Sequence, residues 1–275
     1  MDAAWPTSLT RFAGVIGWPV SHSLSPAMHN AAFRALGLDW AYLAFPIEPR
    51  DVEEAVRGLF RAGCAGLNVT IPHKHAVLAC CDEVTPAVEA IGAANTLVPL
   101  PDGRIRGDNT DAQGFLRALD EAAPVDLAGA DVLMIGAGGA ARAIAFALRG
   151  RGARLRVANR TPGKAGELGE AVPFTPEAIA AAAAGAVLVV NATSLGMGSD
   201  EVPADLPVAP LGPGTVAYDI VYRREPTPWL VAAAGQGART VDGLGMLLHQ
   251  GAAAFAQWTG ADPPLGAMRA GLLAS

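Results

Sequence analysis

The sequence is poor in lysine. Of its 20 basic residues only two, Lys74 and Lys164, are lysines, and the rest are arginines. Arginine stays protonated in proteins, whereas a desolvated or paired lysine can give up its proton and serve as an acid or base. Lys74 ends the run Asn68–Lys74, just after a predicted strand, and Lys164 follows a polar turn after another. Lys74 is therefore a candidate catalytic residue, and solvated surface residues are the plainer alternative for both.

Cysteine is scarce as well. The three cysteines are Cys64, Cys80 and Cys81. An odd number without CxxC spacing argues against a disulfide framework and a structural zinc site, and it fits a reducing compartment. His73 and His75 form an H-x-H pattern, but no set of acidic or cysteine ligands surrounds them, so we predict no metal site.

Strong positive charge and long apolar runs are also missing. The net charge is −6 and the isoelectric point is near 5.3, which argues against a nucleic-acid or anionic-membrane partner. The longest apolar stretch, residues 178–190, is too short to span a bilayer. No basic-then-apolar segment indicates a signal peptide. With 51% hydrophobic and 17% charged residues, we expect a soluble, globular, cytoplasmic protein.

Strands and helices alternate along the chain, which predicts an α/β fold with two domains. The expected middle domain, residues 112–242, is a Rossmann-type doubly wound parallel sheet. The expected substrate domain is residues 1–111, to which the C-terminal stretch 243–275 returns as a helix over 243–257. The predicted strands are residues 12–16, 42–45, 66–70, 131–135, 155–158, 187–190 and 215–221. The predicted helices in the two domains include residues 26–36, 52–62 and 140–149.

A glycine-rich turn between a predicted strand and helix indicates a dinucleotide site. Residues 136–141 read Gly-Ala-Gly-Gly-Ala-Ala and fit G-x-G-x-x-A. Gly136 makes the tight turn, Gly138 lets a pyrophosphate approach the backbone, and the helix N-terminus at Gly139 and Ala140 offers free N–H groups. A tight turn without a ligand is the alternative, but the strand, the helix and the βαβ length all agree with nucleotide binding.

The end of the next predicted strand favours NADP over NAD. An NAD site usually has an acidic residue there for the ribose 2′-hydroxyl. This chain has Asn159, Arg160 and Thr161 instead, followed by Lys164, with no acid before Glu167. Arg160 offers a donor fork to a 2′-phosphate and Lys164 a point charge. The alternative is that both are solvated turn residues.

The run Gly107–Asp111 precedes a helical pattern. Asn109 or Thr110 can cap that helix, and Asp111 would then lie near its positive end and stay ionised. Asp111 is thus a second candidate catalytic residue, with an ordinary acidic helix start as the alternative.

Taken in order, these segments resemble the shikimate dehydrogenase family over nearly the whole chain. The matching blocks share their order with that family and are residues 17–30, 68–74, 92–97, 107–111, 136–141 with 159–161, 191–197, 219–222 and 242–250. One departure is Lys164, where NADP-using members often carry Arg.

The resemblance implies a role for each matched residue. Lys74 and Asp111 would flank the reacting oxygen of 3-dehydroshikimate, which NADPH reduces to shikimate on the way to chorismate and the aromatic amino acids. Ser23 and Ser25 would bind the substrate carboxylate. Thr70, Asn95 and Gln250 would bind the ring hydroxyls, and Tyr222 would close the pocket. The NADP site would comprise Gly136, Gly138, Gly139, Ala140, Asn159, Arg160, Thr161, Lys164, Thr193, Gly243 and Met246.

Two alternatives remain open at this point. One is a quinate/shikimate dehydrogenase that uses NAD, against which Arg160 without a nearby acid argues. The other is a non-catalytic sensor of a shikimate-like ligand, which has no need of the proton donor Lys74. The small-molecule substrate implies no nucleic-acid or membrane partner, and the sequence fits a monomer or a homodimer.

Overall fold

The computed structural model of the 275-residue chain describes residues 6–197, 200–208 and 210–274. The first five residues, where no signal peptide is expected, lie outside the described part. The chain divides into two compact units. The first comprises Met1–Gly114 with Leu247–Ser275, and the second is Phe115–Met246.

The first unit is built on a mixed sheet of six strands. These are β1 (Arg11–Gly17), β2 (Trp40–Pro46), β3 (Leu67–Val69), β4 (Glu83–Val84), β5 (Thr96–Pro99) and β6 (Ile105–Asp108). They lie in the order β2-β1-β3-β5-β6-β4. Strand β1 pairs in parallel with β2 and β3, whereas β5 pairs antiparallel with β3 and β6. The three predicted strands of this region are present as β1, β2 and β3.

Strands β4, β5 and β6 were not predicted from the sequence. They are two to four residues long, and Pro99 and Gly107 interrupt their hydrophobic pattern. Strands that short show no periodicity of their own, so only pairing with neighbours defines them.

Helices cover this first sheet. They are α1 (Ser25–Ala35), α2 (Val52–Arg61), α3 (Pro86–Ile91), the start of α4 (Asp111–Ala122), most of α9 (Gly243–Thr259) and α10 (Leu265–Leu273). Helix α9 brings Phe255 and Trp258 into one buried cluster with Phe33 and Tyr42. Gly66 has no side chain, and a Cβ there would meet the Trp258 ring. Helix α9 thus packs on the first sheet.

The second unit contains an entirely parallel sheet. Its strands are β7 (Asp131–Ile135), β8 (Arg154–Ala158), β9 (Glu170–Val172), β10 (Leu188–Asn191), β11 (Val216–Asp219) and β12 (Arg239–Val241). Between them run α5 (Gly139–Gly150), α6 (Pro162–Gly166), α7 (Pro176–Ala183) and α8 (Pro228–Gly235). The strand order is β12-β11-β10-β7-β8-β9, so the direction of winding reverses between β7 and β10. This is the topological switch point at which doubly wound sheets bind dinucleotides.

The cores of both units explain why these strands read as apolar runs. Strands β7 and β10 are covered on both faces, and Leu133, Ile135 and Val189 are fully buried with Trp229 of α8. The predicted α/β class is confirmed. Within the described residues, no helix is long and apolar enough to cross a membrane.

Candidate active site and dinucleotide site

A buried ion pair lies in the first unit. Lys74 Nζ donates to Asp111 Oδ2 over 2.6 Å. The Lys74 side chain is 14% exposed and that of Asp111 is 5% exposed. The Asp111 carboxylate is therefore enclosed, and the lysine side chain keeps a small exposed fraction.

The start of helix α4 sets the position of Asp111. Its backbone N–H donates to Asn109 Oδ1 over 3.1 Å, which turns the chain into the helix. As the first residue of α4, Asp111 lies at the positive end of the helix dipole, where a carboxylate is favoured. The sequence predicted a cap at Asn109 or Thr110. The Thr110 carbonyl accepts the first bond of the helix, from the Gly114 N–H over 3.0 Å, so Thr110 occupies the cap position and Asn109 forms the turn just before it.

Asn95 holds the other oxygen of the same carboxylate. Its Nδ2 donates to Asp111 Oδ1 over 2.8 Å, and its Oδ1 accepts the Thr110 backbone N–H over 2.8 Å. A backbone N–H can only donate, so the Asn95 amide cannot be reversed without losing that bond. The NH₂ group is thereby directed at Asp111.

Gln250, on α9, completes this cluster. Its Oε1 lies 3.2 Å from Asn95 Nδ2, and its Nε2 donates to the Leu247 carbonyl. Four residues predicted for the substrate site from distant parts of the sequence, Lys74, Asn95, Asp111 and Gln250, are thus linked by hydrogen bonds in one unit.

The loop that carries Lys74 is fixed on both sides. The His73 ring is buried and its Nε2 lies 2.7 Å from the Ile47 carbonyl oxygen. The Lys74 carbonyl accepts the Ala94 backbone N–H over 2.8 Å. A rigid backbone at both neighbours limits the positions of the ammonium to those its own side-chain rotamers allow.

The remaining predicted substrate residues of this unit lie on neighbouring loops. Ser23 and Ser25 are joined by a bond from the Ser25 N–H to Ser23 Oγ of 3.3 Å at the start of α1. Thr70 follows β3 and lies against Gly17, where a Cβ would come within 2.5 Å of Thr70 Cγ2. The Trp18 N–H donates to the Ile71 carbonyl, so the two loops are held side by side.

In the second unit the glycine turn has the predicted geometry. Gly136 follows β7 with φ of +113°, a conformation that L side chains rarely adopt, and a Cβ there would lie 2.8 Å from the Ala192 carbonyl oxygen. Gly138 is exposed, with nothing within 4 Å of a Cβ position. The first glycine is thus required by the fold, whereas the second leaves open space over the start of α5.

The basic residues predicted to select NADP lie on an exposed turn beside this glycine turn. The Gly136 N–H donates to the carbonyl of Ala158, the last residue of β8, and Arg160 follows two residues later. Asn159 Nδ2 closes the turn by donating to the Thr161 carbonyl over 3.0 Å. Arg160, Thr161 and Lys164 are all exposed. A cationic turn next to a dinucleotide turn suits a nucleotide with an additional phosphate.

Thr193 lies on the other side of Gly136, whose Cβ position is 2.8 Å from Thr193 Cγ2. Gly243, at the start of α9, packs on the backbone after β11, because a Cβ there would meet the Ile220 carbonyl. Met246 is buried on the same turn of α9 and Tyr222 is partly buried after β11, and burial raises the pKa of the Tyr222 hydroxyl.

Two buried polar residues in this unit were given no role from the sequence. Asn191 ends β10 and Asp219 ends β11, and neither side chain is exposed. Asn191 Nδ2 donates to Asp219 Oδ1 over 2.9 Å. A polar residue that closes an apolar strand at the carboxyl edge of a parallel sheet was the signal that could have identified them.

Among the described residues, no group of three or more His, Cys, Asp or Glu side chains could hold a metal ion. A parallel sheet with a dinucleotide turn, together with a separate unit that carries a lysine–carboxylate pair, defines the class of nicotinamide-dependent dehydrogenases.

Comparison with known sequences gives the family. The profile of the shikimate dehydrogenase substrate binding domain matches residues 15–97, and that of the shikimate 5′-dehydrogenase C-terminal domain matches residues 243–273. The shikimate dehydrogenase (NADP(+)) of Citrifermentans bemidjiense is 46% identical, over 98% of this chain and 96% of the relative. The chain belongs to the shikimate dehydrogenase family.

Solved structures of related dehydrogenases are also similar to this chain. Shikimate dehydrogenase from Aquifex aeolicus has a TM-score of 0.88 at 37% identity, covering 96% of this chain and 98% of that one. The enzyme from Thermus thermophilus in complex with NADP(H) and shikimate has a TM-score of 0.83 at 39% identity, covering 95% and 98%. Quinate dehydrogenase from Corynebacterium glutamicum in complex with NAD is also similar, with a TM-score of 0.87 at 33% identity, covering 97% and 99%.

Proposed function

We propose that this protein is an NADP-dependent shikimate dehydrogenase that reversibly reduces 3-dehydroshikimate to shikimate on the route to chorismate and the aromatic amino acids. The observation that carries the proposal is the pair formed by Lys74 and Asp111, at 2.6 Å and largely buried. Family membership at 46% identity over nearly the full length supports it.

The chemistry of carbonyl reduction explains why this pair is suited to the task. Bound NADPH supplies the hydride that adds to the carbonyl carbon. Negative charge then develops on the carbonyl oxygen, and the Lys74 ammonium stabilises that charge and transfers a proton to the oxygen. In the reverse direction the neutral amine of Lys74 takes the proton from the hydroxyl group of shikimate.

Asp111 and Asn95 hold the Lys74 side chain in position. The Asp111 carboxylate keeps the ammonium in place and accepts a hydrogen bond from the substrate. Asn95, whose NH₂ group is directed at Asp111 Oδ1, keeps that carboxylate from rotating. A fixed acceptor and donor pair costs no reorganisation during the reaction.

The other predicted residues are assigned by the same proposal. Ser23 and Ser25 donate to the substrate carboxylate. Thr70, Asn95 and Gln250 bind the ring hydroxyls, and Tyr222 closes the pocket. The residues proposed to bind NADP are Gly136, Gly138, Gly139, Ala140, Asn159, Arg160, Thr161, Lys164, Thr193, Gly243 and Met246. Residues 1–111 with 243–275 form the substrate domain and residues 112–242 the NADP domain. The three unpaired cysteines fit a reducing compartment, for which we propose the cytoplasm. We propose a monomer or a homodimer, which sedimentation velocity distinguishes.

A second candidate is an NAD-dependent quinate dehydrogenase, which the similarity to the Corynebacterium glutamicum enzyme favours. The exposed Arg160, with no acid before Glu167, favours NADP. The deciding experiment measures kcat/KM for shikimate and for quinate, each with NADP and with NAD. We expect the highest value for shikimate with NADP. A higher value for quinate with NAD would overturn the proposal, and no turnover of either substrate would favour a sensor.

A further inference from the structure

The buried carboxylate of Asp219 connects several parts of the second unit. Asp219 Oδ1 accepts from Asn191 Nδ2 over 2.9 Å and from the Val221 N–H over 3.0 Å. Asp219 Oδ2 accepts from Thr227 Oγ1, at the N-cap of α8, over 2.8 Å. All three donors are neutral, and each belongs to a different segment at the carboxyl edge of the parallel sheet.

Asn191 extends this connection to Thr193. Its Oδ1 accepts from the Thr193 N–H over 3.1 Å and from Thr193 Oγ1 over 2.6 Å. Because the Thr193 N–H can only donate, the Asn191 oxygen must face Thr193 and its NH₂ group must face Asp219. The same NH₂ group donates to the Leu195 carbonyl, so Asn191 holds two points of the loop that follows β10.

Each of the two connected loops carries residues of the proposed NADP or substrate site. Thr193 lies against Gly136 in the glycine turn. Val221 is the residue before Tyr222, and its carbonyl accepts the Gly243 N–H over 3.2 Å. One carboxylate therefore fixes the backbone beside the glycine turn, the residue before Tyr222 and, through Val221, the start of α9.

A carboxylate in this place is costly to the fold. Burial raises the pKa of Asp219 from 3.8 to about 6, against the opposing effect of its three hydrogen bonds, and the charge of Asp242 adds to the rise. Asn or a well-packed apolar residue would avoid the cost of desolvating a charge. The charge therefore lowers the stability of the folded state at neutral pH, and a role in binding explains its presence.

We propose that Asp219 is a positioning residue whose ionised carboxylate, through Asn191 and Val221, holds the loops carrying Thr193 and Tyr222 in the conformation that binds NADP and shikimate. The inference rests on the proposed function for the identity of the two ligands. Protonation weakens the three accepted bonds, because hydrogen bonds to a charged acceptor are roughly twice as strong as neutral ones.

The test compares Asp219→Asn with wild type from pH 5 to pH 8. The ratio of kcat/KM for shikimate, wild type over variant, removes every pH effect that the two proteins share. We expect this ratio to be near one at pH 5, where Asp219 is protonated, and to reach about tenfold at pH 8, from the loss of charge-assisted bonds. The control is Asp131→Asn, an acid at the opposite edge of the same sheet paired with exposed Arg154, for which the ratio should stay near one.

Binding and stability provide readouts that do not depend on turnover. Calorimetric titration with NADP should show a Kd about tenfold higher in Asp219→Asn at pH 8 and unchanged at pH 5. The melting temperature of this variant at pH 8 should equal or exceed that of wild type, because the ionised carboxyl is penalised by burial. Asn191→Ala removes the connection from Asp219 to Thr193 and Leu195 but leaves the bonds of Asp219 to Val221 and Thr227, so it should raise the Kd for NADP more than the KM for shikimate.

The possible outcomes distinguish a failure of the inference about Asp219 from a failure of the proposed function. A ratio that stays constant from pH 5 to pH 8, or a lowered melting temperature with unchanged NADP affinity, would show that Asp219 has a merely structural role and would overturn the inference. If wild type binds NADP but does not oxidise shikimate, the proposed function fails, and the pH dependence of NADP affinity in Asp219→Asn still decides whether Asp219 positions the Thr193 loop.

Discussion

Lys74 Nζ and Asp111 Oδ2 lie 2.6 Å apart although the two residues are 37 positions apart along the chain. Lys74 follows β3, and Asp111 begins α4 after β6. Strands β3 and β6 of one sheet thus bring the ammonium and the carboxylate to the same place. Lys74 itself lies on a loop, which the bonds of His73 to Ile47 and of Ala94 to the Lys74 carbonyl hold in position.

Lys74→Ala should lower kcat by about 10²–10⁴-fold, the usual contribution of a positioned acid or base, with little change in the KM for shikimate. Lys74→Arg should not restore kcat, because arginine keeps the charge but does not release the proton. Steady-state rates of NADPH formation measure both. The other lysine is the matched control: Lys164→Ala should leave kcat unchanged and alter only the KM for NADP. A variant of Lys74 with intact kcat and weakened shikimate binding would show that Lys74 only binds.

Arg160→Ala should raise the KM for NADP far more than that for NAD. The 2′-phosphate is the one group by which the two nucleotides differ, and loss of a charge-assisted contact costs about 1.5–3 kcal/mol. Rates with each nucleotide at saturating shikimate measure the change. The control is Arg154→Ala, at an exposed arginine that begins β8, the strand that precedes Arg160. This substitution should change neither the KM for NADP nor that for NAD. Equal changes for both nucleotides would mean that Arg160 does not contact the 2′-phosphate.

Alanine substitutions at the two glycines of the dinucleotide turn should have different effects on stability and on NADP binding. Gly136→Ala places a Cβ 2.8 Å from the Ala192 carbonyl oxygen at φ of +113°, so it should lower the melting temperature. Gly138→Ala has open space at the Cβ position and φ of −81°, so its melting temperature should match wild type. Its Kd for NADP should nevertheless rise, because the Cβ occupies the path of the pyrophosphate. Thermal melts without nucleotide and calorimetry with NADP separate the two effects, and unchanged NADP affinity in Gly138→Ala would contradict the assignment.

His29 should make the fold sensitive to acid. Its ring is fully buried and stacked on the Tyr42 ring, with 4.3 Å between the ring centroids. Within the described residues neither ring nitrogen has a hydrogen-bond partner. Burial lowers the pKa of His29 from 6.5 to about 3. Between these values the unfolded chain binds a proton that the folded chain does not, so stability is lost as the pH falls below about 6.5.

His29→Phe should remove this loss and keep the aromatic packing. Between pH 6 and pH 4 the free energy of unfolding of wild type should fall by about 2–3 kcal/mol more than that of the variant, measured by urea denaturation. His22→Gln, at an exposed position, is the control and should follow wild type. Parallel curves for wild type and His29→Phe would show that the ring is not kept neutral by the fold.

The local pattern of the sequence was sufficient for the four inner strands of the second unit, β7, β8, β10 and β11, because they are largely buried and appear as short apolar runs. The edge strands β9 and β12 were not predicted, because they are three residues long and mostly exposed. Gly136 is required because the turn after β7 needs a positive φ. The hairpin of β5 and β6 could not be predicted, because strands of four residues containing Pro99 and Gly107 depend on pairing with each other and with the neighbouring strands β3 and β4.

The sequence by itself determined the α/β class and the glycine-rich turn after β7, and it made Lys74 a candidate catalytic residue, since arginine supplies nearly all of the positive charge in this chain and does not release its proton. Only the tertiary structure decided which groups act on each other. It brought Asn95 and Gln250 to Asp111, and it joined Asn191 to Asp219 at the ends of neighbouring strands. The physical reason is that backbone propensity and burial are encoded over a few residues, whereas a hydrogen bond between side chains requires a distance near 3 Å that chain folding alone sets.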